Sequence, residues 1–341
     1  MIELNLTPIK RVLIASRALW FYIGKLIWPV KLTFSYPPWN IDAADPLQYS
    51  WMLGFLFLTW AMWHWRGKLG RAPIATIAFF AVTLSPMLGF FSLYTFLYTF
   101  VADHYQYAAS IAPITLFVGI GCRIANRLGK YEKAIAVTAA VVVLGTLGTL
   151  TWQQNHIYKD RQTLWEDTID KNPDSYLAHT NLGIMFAKQG RSEEAIGHFH
   201  QAPRIKSDYA KAHNNLGIAL VEQGDIEGGL GHLRKAVKYD PDYVRAYGNL
   251  ARILATTQDA GFNNPPQAIE LAMKACELTG YKNPIAVNTL ATAYAAAGRF
   301  NEAIVNAEKA LKLAQAGNNH QLTNQITAQL EAYKAKKRYW Q

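Results

Sequence analysis

The chain has 341 residues, 51% of them hydrophobic, and a formal net charge of +10. That length holds two domains or more. The charge is unevenly divided: residues 1–158 carry 12 Lys and Arg against 5 Asp and Glu, while residues 159–341 carry 22 against 19. The near balance of the second half excludes a phosphate-binding surface there, and with it a nucleic-acid partner. The basic excess falls in the apolar half, where positive residues set membrane topology. The two cysteines, Cys122 and Cys276, lie in different halves and give neither a metal-ligand spacing nor a disulfide framework. The first residues, Met1 to Pro8, lack the basic start, apolar core and small-residue cleavage site of a signal peptide. The chain is expected to be the C-terminal portion of a longer membrane protein.

The apolar half, 1–158, reads as a membrane domain with about five transmembrane helices, near 10–30, 48–65, 73–91, 106–122 and 133–152. The first is aromatic (Trp20, Phe21, Tyr22, Trp28) but interrupted by Arg17 and Lys25, so it either spans or lies at the interface. The Pro-rich, acidic segment Tyr36 to Pro46 follows as an outer loop, since prolines and acids are excluded from helix interiors and from lipid. After the second span, Arg66, Lys68 and Arg71 with no acid mark an inner loop. Ser85-Pro86 falls inside the third span and is expected to kink it. From Ser92 to Tyr107 there is no Lys or Arg, which suits the outer side; Arg123, Arg127, Lys130 and Lys133, with Glu132 the single acid, suit the inner side. The last span, Ala134 to Leu150, carries no charge and ends at Trp152. An integral protein of the inner or plasma membrane follows, with everything after this helix outside the cytoplasm.

From Tyr176 the chain repeats every 34 residues. Ala178-His-Thr-Asn-Leu-Gly183 returns as Ala212-His-Asn-Asn-Leu-Gly217 and as Ala246-Tyr-Gly-Asn-Leu-Ala251. This resembles the tetratricopeptide (TPR) pattern: two antiparallel helices per unit, small residues at the close contacts, proline at the turn. Four units are expected, at 176–209, 210–243, 244–283 and 284–317, within a domain of 159–341. The third holds about six extra residues within Thr257–Pro266. Gln162 to Lys171 reads as an orphan second helix, and His320 to Arg338 as the capping helix. Pro203 should kink or shorten the second helix of the first unit. The fold class is therefore all-α: a transmembrane helix bundle followed by a TPR α-solenoid. Asn181, Asn215 and Asn249 recur at one position, and Asn288 stands on the corresponding helix of the fourth unit. They either line a groove that bonds an extended polypeptide partner or are solvated polar positions on the inner helices.

The one stretch of the membrane half that suggests chemistry is Val101-Ala-Asp-His-Tyr-Gln-Tyr-Ala-Ala-Ser-Ile111. An Asp-His pair near lipid is costly unless paired or wet; the alternative is an interface belt of Tyr94, Tyr98, Tyr105 and Tyr107. This stretch, followed by a helix, a basic loop, a last helix and TPR units, resembles the C-terminal region of the multispanning transmembrane-and-tetratricopeptide family, relatives of the protein O-mannosyltransferases. Leu19 to Pro29 and Thr33 to Trp39 are similar to its bacterial members. The resemblance implies a glycosyltransferase with a polyprenyl-phosphate-linked sugar as donor substrate and an outward-facing site; the sequence itself has no metal-ligand spacing, and no other cofactor and no metal are expected. The acidic first outer loop of that family is expected to lie outside this chain, so catalytic residues are not assigned. Under the resemblance, Arg17 and Lys25 would face the lipid phosphate, while Asp103, His104 and Tyr107 would line the sugar or acceptor site; His104 stands where the family often has arginine. Snorkelling to headgroups is the other reading of Arg17 and Lys25. Two functions remain: the C-terminal part of an enzyme glycosylating protein hydroxyls, with the repeats presenting the acceptor, or a non-catalytic membrane-anchored scaffold.

Overall fold

The computed structural model describes residues 6–90 and 99–339. Tyr94, Tyr98 and the expected end of the third span at Phe91 lie outside the described residues. Among the described residues there is no strand, and the chain divides into two compact units, Met1–Ala178 and His179–Gln341.

The first unit is organised around α1 (Pro8–Ile27). Pro8 occupies its first turn and Thr7 caps it, accepting from the Lys10 N–H. Ile14, Ala15, Ala18, Leu19 and Tyr22 recur at spacings of three and four, so they share one face. Ala15, Ala18, Leu19 and Tyr22 are buried in one cluster with Phe80, Leu84, Leu88, Val101 and Ala109, and Ile14 is buried beside Gly89. Phe80 and Leu84 belong to α4 (Ala72–Leu84), and Ala109 to α5 (Tyr107–Ala125). Between α1 and α4 come α2 (Ser50–His64) and the single turn α3 (Arg66–Leu69). The Trp20 indole N–H donates to the Trp51 carbonyl at 2.8 Å and ties α2 to α1. The last long helix, α6 (Lys130–Ile157), begins where the Gly129 N–H donates to the carboxylate of Glu132. The one acid of that basic loop therefore closes a helix end.

Among the described residues, two stretches are helical, long and apolar enough to cross a membrane, Asp103–Ala125 and Lys130–Ile157; Ala72–Met87 is apolar but shorter. The 28 residues of α6 rise about 42 Å, against roughly 30 Å of bilayer hydrocarbon. The other three expected spans do not reach this standard. The helix α1 carries Lys10, Arg11, Arg17 and Lys25, and α2 and α4 rise only about 22 and 20 Å. Pro86 does not kink α4. The helix stops at Leu84, and Ser85–Met87 forms a 3₁₀ turn, because the ring cannot donate to the carbonyl one turn back.

The expected orphan helix appears as α7 (Arg161–Lys171), capped by Asp160, which accepts from Thr163 N–H. It packs within the first unit, which runs to Ala178. Three contacts explain this. The Lys171 ammonium donates to the Leu32 carbonyl at 2.7 Å, Asn172 donates through Nδ2 to the Ser35 carbonyl at 3.1 Å, and the Phe34 and Trp165 rings meet edge to face at 5.3 Å.

Four helical hairpins follow: α8 (Tyr176–Lys188) with α9 (Ser192–Ile205), α10 (Ala210–Glu222) with α11 (Ile226–Tyr239), α12 (Val244–Thr256) with α13 (Pro265–Leu278), and α14 (Pro284–Ala296) with α15 (Phe300–Ala316). Beyond them α16 (His320–Lys334) packs against α15. Leu182, Leu216 and Leu250 are buried, as are Ala195, Ala202 and Ala236. Gly217 marks the closest approach of a pair: a Cβ there would lie 2.8 Å from the Gly229 carbonyl oxygen. The three-residue hairpin turns pass through Gly190, Gly224 and Gly298, all with φ between 74° and 95°, a region glycine enters without strain. The third turn is longer, Thr257 to Asn264, and one more residue joins α13 to α14 than joins α11 to α12. Pro203 does not shorten its helix: α9 and α11 both have 14 residues. Pro203 lies two residues from the end, where its missing N–H removes one terminal bond.

Candidate functional site

Loop 28–36, the 3₁₀ turn Asp103–Gln106 and the end of α6 enclose a cavity of about 660 Å³ in the first unit. Its polar lining includes Lys25, Lys31, Asp103, Gln106 and Lys171, and its apolar wall includes Leu26, Leu147 and Leu150. Tyr36 is buried in the loop, and its hydroxyl donates to Asp103 Oδ1 at 2.7 Å. Burial first, and the neighbouring Asp103 carboxylate second, push the Tyr36 phenol well above its ordinary pKa. It therefore stays protonated and holds Asp103 in one orientation. The other carboxylate oxygen, Asp103 Oδ2, and the side-chain oxygen of Gln106 are buried without a hydrogen bond. Such groups are costly to leave unpaired and mark where a donor is wanted.

The cations around Asp103 are partly committed. The Lys25 ammonium donates to the Val30 carbonyl at 2.6 Å and lies 5.3 Å from the centre of the Tyr36 ring. Lys171 is paired with Asp167 at 2.7 Å, one helical turn away, in addition to its bond to Leu32. Each ammonium has three donors, so both remain able to give one to a ligand.

Of the five residues singled out in this half, the structure brings Lys25, Asp103 and Tyr107 to the cavity. Arg17 is elsewhere: its guanidinium stacks 4.6 Å over the Trp39 ring. His104 is exposed and lies against Tyr105, with ring centres 4.6 Å apart, outside the cavity lining. Adjacent residues on a 3₁₀ turn point about 120° apart, which sends the side chains of Asp103 and His104 in different directions. No local pattern marks Lys31, Tyr36, Gln106 or Lys171 as members of a site, since only the fold brings these distant stretches together.

In the repeats, the four asparagines are not simple solvated positions. Asn249 donates through Nδ2 to Asn214 Oδ1 at 2.9 Å, and Asn214 donates to Asn215 Oδ1 at 3.2 Å. Asn214, fully buried, thus links α10 to α12. Asn288 is buried with its Oδ1 unpaired, and Asn181 is half-buried. Asn214 is not among the residues that the repeat pattern singles out; its signal is the doubled Asn in Ala212-His-Asn-Asn. Among the described residues no group of three or more His, Cys, Asp or Glu side chains is placed to hold a metal ion.

Comparison with known proteins identifies the repeats. The TPR repeat model matches residues 183–224, and tetratricopeptide repeat models match 214–278 and 286–319. The chain is 23% identical over 224 residues to the human protein O-mannosyl-transferase TMTC1, covering 58% of this chain and 24% of that protein. It is 24% identical over 206 residues to the mouse protein of the same name, covering 52% and 22%. The likeness runs over the repeat region, and the chain spans about a quarter of the length of these relatives. Among solved structures, TTC0263, a thermophilic TPR protein of Thermus thermophilus, aligns with 22% identity and a TM-score of 0.43, covering 55% of this chain and 96% of its own. YrrB, a TPR protein with an unusual peptide-binding site, aligns with 17% identity and a TM-score of 0.39, covering 52% and 87%. The second half of the chain is a TPR array, and its likeness to the O-mannosyl-transferases TMTC1 is weak.

Proposed function

We propose that this chain is the C-terminal part of a membrane glycosyltransferase that uses a polyprenyl-phosphate-linked sugar and acts on protein hydroxyls, with the TPR array holding the acceptor or a partner polypeptide. The observation that carries the reading is the cavity around Asp103. A fixed carboxylate with one oxygen unpaired suits a sugar hydroxyl donor. Lys25, Lys31 and Lys171 suit the phosphate, and the wall of Leu26, Leu147 and Leu150 suits the first isoprene units. Arg17 and His104 are left out of this reading, because neither lines the cavity. The proposal includes the finer membrane arrangement: α1, α2 and α4 join α5 and α6 in threading the lipid, the basic turns at Arg66–Arg71 and Arg123–Lys133 face the cytoplasm, and the repeats lie outside it. The proposed domains are 1–158 in the membrane and 159–341 outside, with α7 leaning back onto the loops of the first.

In membranes carrying the longer protein, Asp103→Ala is expected to abolish donor-dependent glycosylation while leaving insertion intact. Wild-type transfer by that variant would remove Asp103 from the site. A second reading, a non-catalytic membrane-anchored scaffold, is favoured by the TPR array and its asparagine ladder. It predicts that Asp103→Ala leaves every partner interaction unchanged and that Asn215→Ala with Asn249→Ala weakens them.

A further inference from the structure

The first two hairpins share a feature that the proposed function does not use. In each, a histidine of the first helix faces a histidine of the second, ring nitrogen to ring nitrogen. His179 Nδ1 lies 3.0 Å from His198 Nδ1, and His213 Nδ1 lies 2.8 Å from His232 Nδ1. The pairs are 34 residues apart at both members, so this is one structural position used twice. No histidine occurs between His232 and His320, so the third and fourth hairpins lack the pair.

The second pair can be assigned proton by proton. His213 Nε2 lies 2.9 Å from the Ser207 carbonyl oxygen, which only accepts, so Nε2 carries hydrogen. Its Nδ1 then holds a lone pair in the neutral ring, and His232 Nδ1 must donate to it. The rings are stacked with centres 5.1 Å apart and planes 27° apart, and His213 is buried.

We propose that the paired histidines are an acid-sensitive joint: protonation separates the two helices of the first two hairpins while the third and fourth stay closed. A first proton is shared, since on either ring one Nδ1–H still reaches the other Nδ1 while the neutral ring carries its hydrogen on Nε2; the second proton leaves two N–H donors facing each other at hydrogen-bond distance. A proton on His232 Nε2 keeps the bond but places a cation beside other basic groups. The charged and titratable groups acting on the second pair are Lys235 on the same helix as His232, His200 on α9, Asp225 at the start of α11, Asp208 in the preceding loop and Tyr239, whose ring centre lies 5.4 Å from that of His213; Glu194 acts on His198 of the first pair. Asp225 and Asp208 oppose the effect without cancelling it. Burial, then His213 and Lys235, hold His232 down to about 4, and burial holds His213 below its ordinary value. An opened hairpin frees both rings to titrate near 6.5, so the open form binds protons first. Stability is therefore complete above about pH 6.5 and is lost as pH falls towards about 4. In functional terms, the first two hairpins relax in an acidified compartment and the last two do not.

The test is hydrogen exchange and thermal melting of the 341-residue chain in lipid nanodiscs at about pH 7.5 and about pH 5.0, on either side of the free histidine value. Wild type should melt about 5 °C lower at the acidic pH. After correction for intrinsic exchange, segment 210–239 should lose protection relative to 284–316. His232→Phe keeps an aromatic ring in the stack and removes the titration; it should halve the shift, and His198→Phe with His232→Phe should reduce it further. Equal loss of protection along the array, or an undiminished shift in the double variant, would overturn the proposal. Stabilisation of wild type but not His232→Phe by added Zn²⁺ at the higher pH would also overturn it, since the pair would then be a metal site.

Discussion

The two units bury their apolar residues in opposite ways. In the solenoid nearly every leucine of the repeat finds a neighbour: Leu182, Leu216, Leu230, Leu233 and Leu250 are all at or below 2% exposed. Among the described residues of the first unit, the buried apolar side chains gather mainly around α1. Leu56, Phe57, Trp60, Trp63 and Val82 stand exposed, and α6 buries none of its 28 residues, with Val142 and Leu144 more than 60% exposed. Burying one such side chain is worth about 1.5–3 kcal/mol, and that gain is not realised at these positions. The repeat leucines are covered by neighbouring helices, whereas much of the apolar surface of the first unit is not.

Substitutions put this contrast to the test. Gly217→Leu forces a side chain against the Gly229 carbonyl and Leu233; it should lower solenoid stability by about 3 kcal/mol, read as a fall in melting temperature and lost exchange protection over 210–239. Leu233→Ala, in a fully buried position, should cost about 3 kcal/mol by the same assay. Asn214→Ala should cost about 1–2 kcal/mol, because it leaves the Asn249 amide without its acceptor. Tyr36→Phe removes one hydrogen bond to Asp103 and should cost about 1 kcal/mol in a nanodisc melt. Leu144→Ala, the counterpart in the first unit of the Leu233 truncation, should change stability by less than about 0.5 kcal/mol. A large loss there would mean that α6 has a packed partner.

The solenoid was largely legible in the sequence because its geometry is periodic. A 34-residue repeat places Gly183, Gly217 and the leucines before them in the same environment each time, and the extra residues after Thr257 emerge as a longer turn. Contacts that depend on three-dimensional pairing were not legible. Lys171 meets Leu32 across 139 residues, and nothing in the local sequence of α7 says that it rests on the first unit. The histidine pairs were present as His179, His198, His213 and His232, but 19 residues separate partners, and only the hairpin brings them ring to ring. The cavity was half legible: the chemistry of Asp103 and Lys25 singled out two residues that line it, whereas charge alone does not reveal that Arg17 lies elsewhere, stacked on Trp39.

Placement of the first unit in lipid, with the repeats on the outer side, underlies the proposed chemistry. A single cysteine at Asn318, a loop position between α15 and α16, introduced after Cys122 and Cys276 are replaced by alanine, probes that placement when intact cells are treated with a membrane-impermeant maleimide. Asn318→Cys should be labelled before lysis, and the protein should be recovered with alkali-washed membranes. Labelling only after permeabilisation, or recovery in the soluble fraction, would contradict the placement.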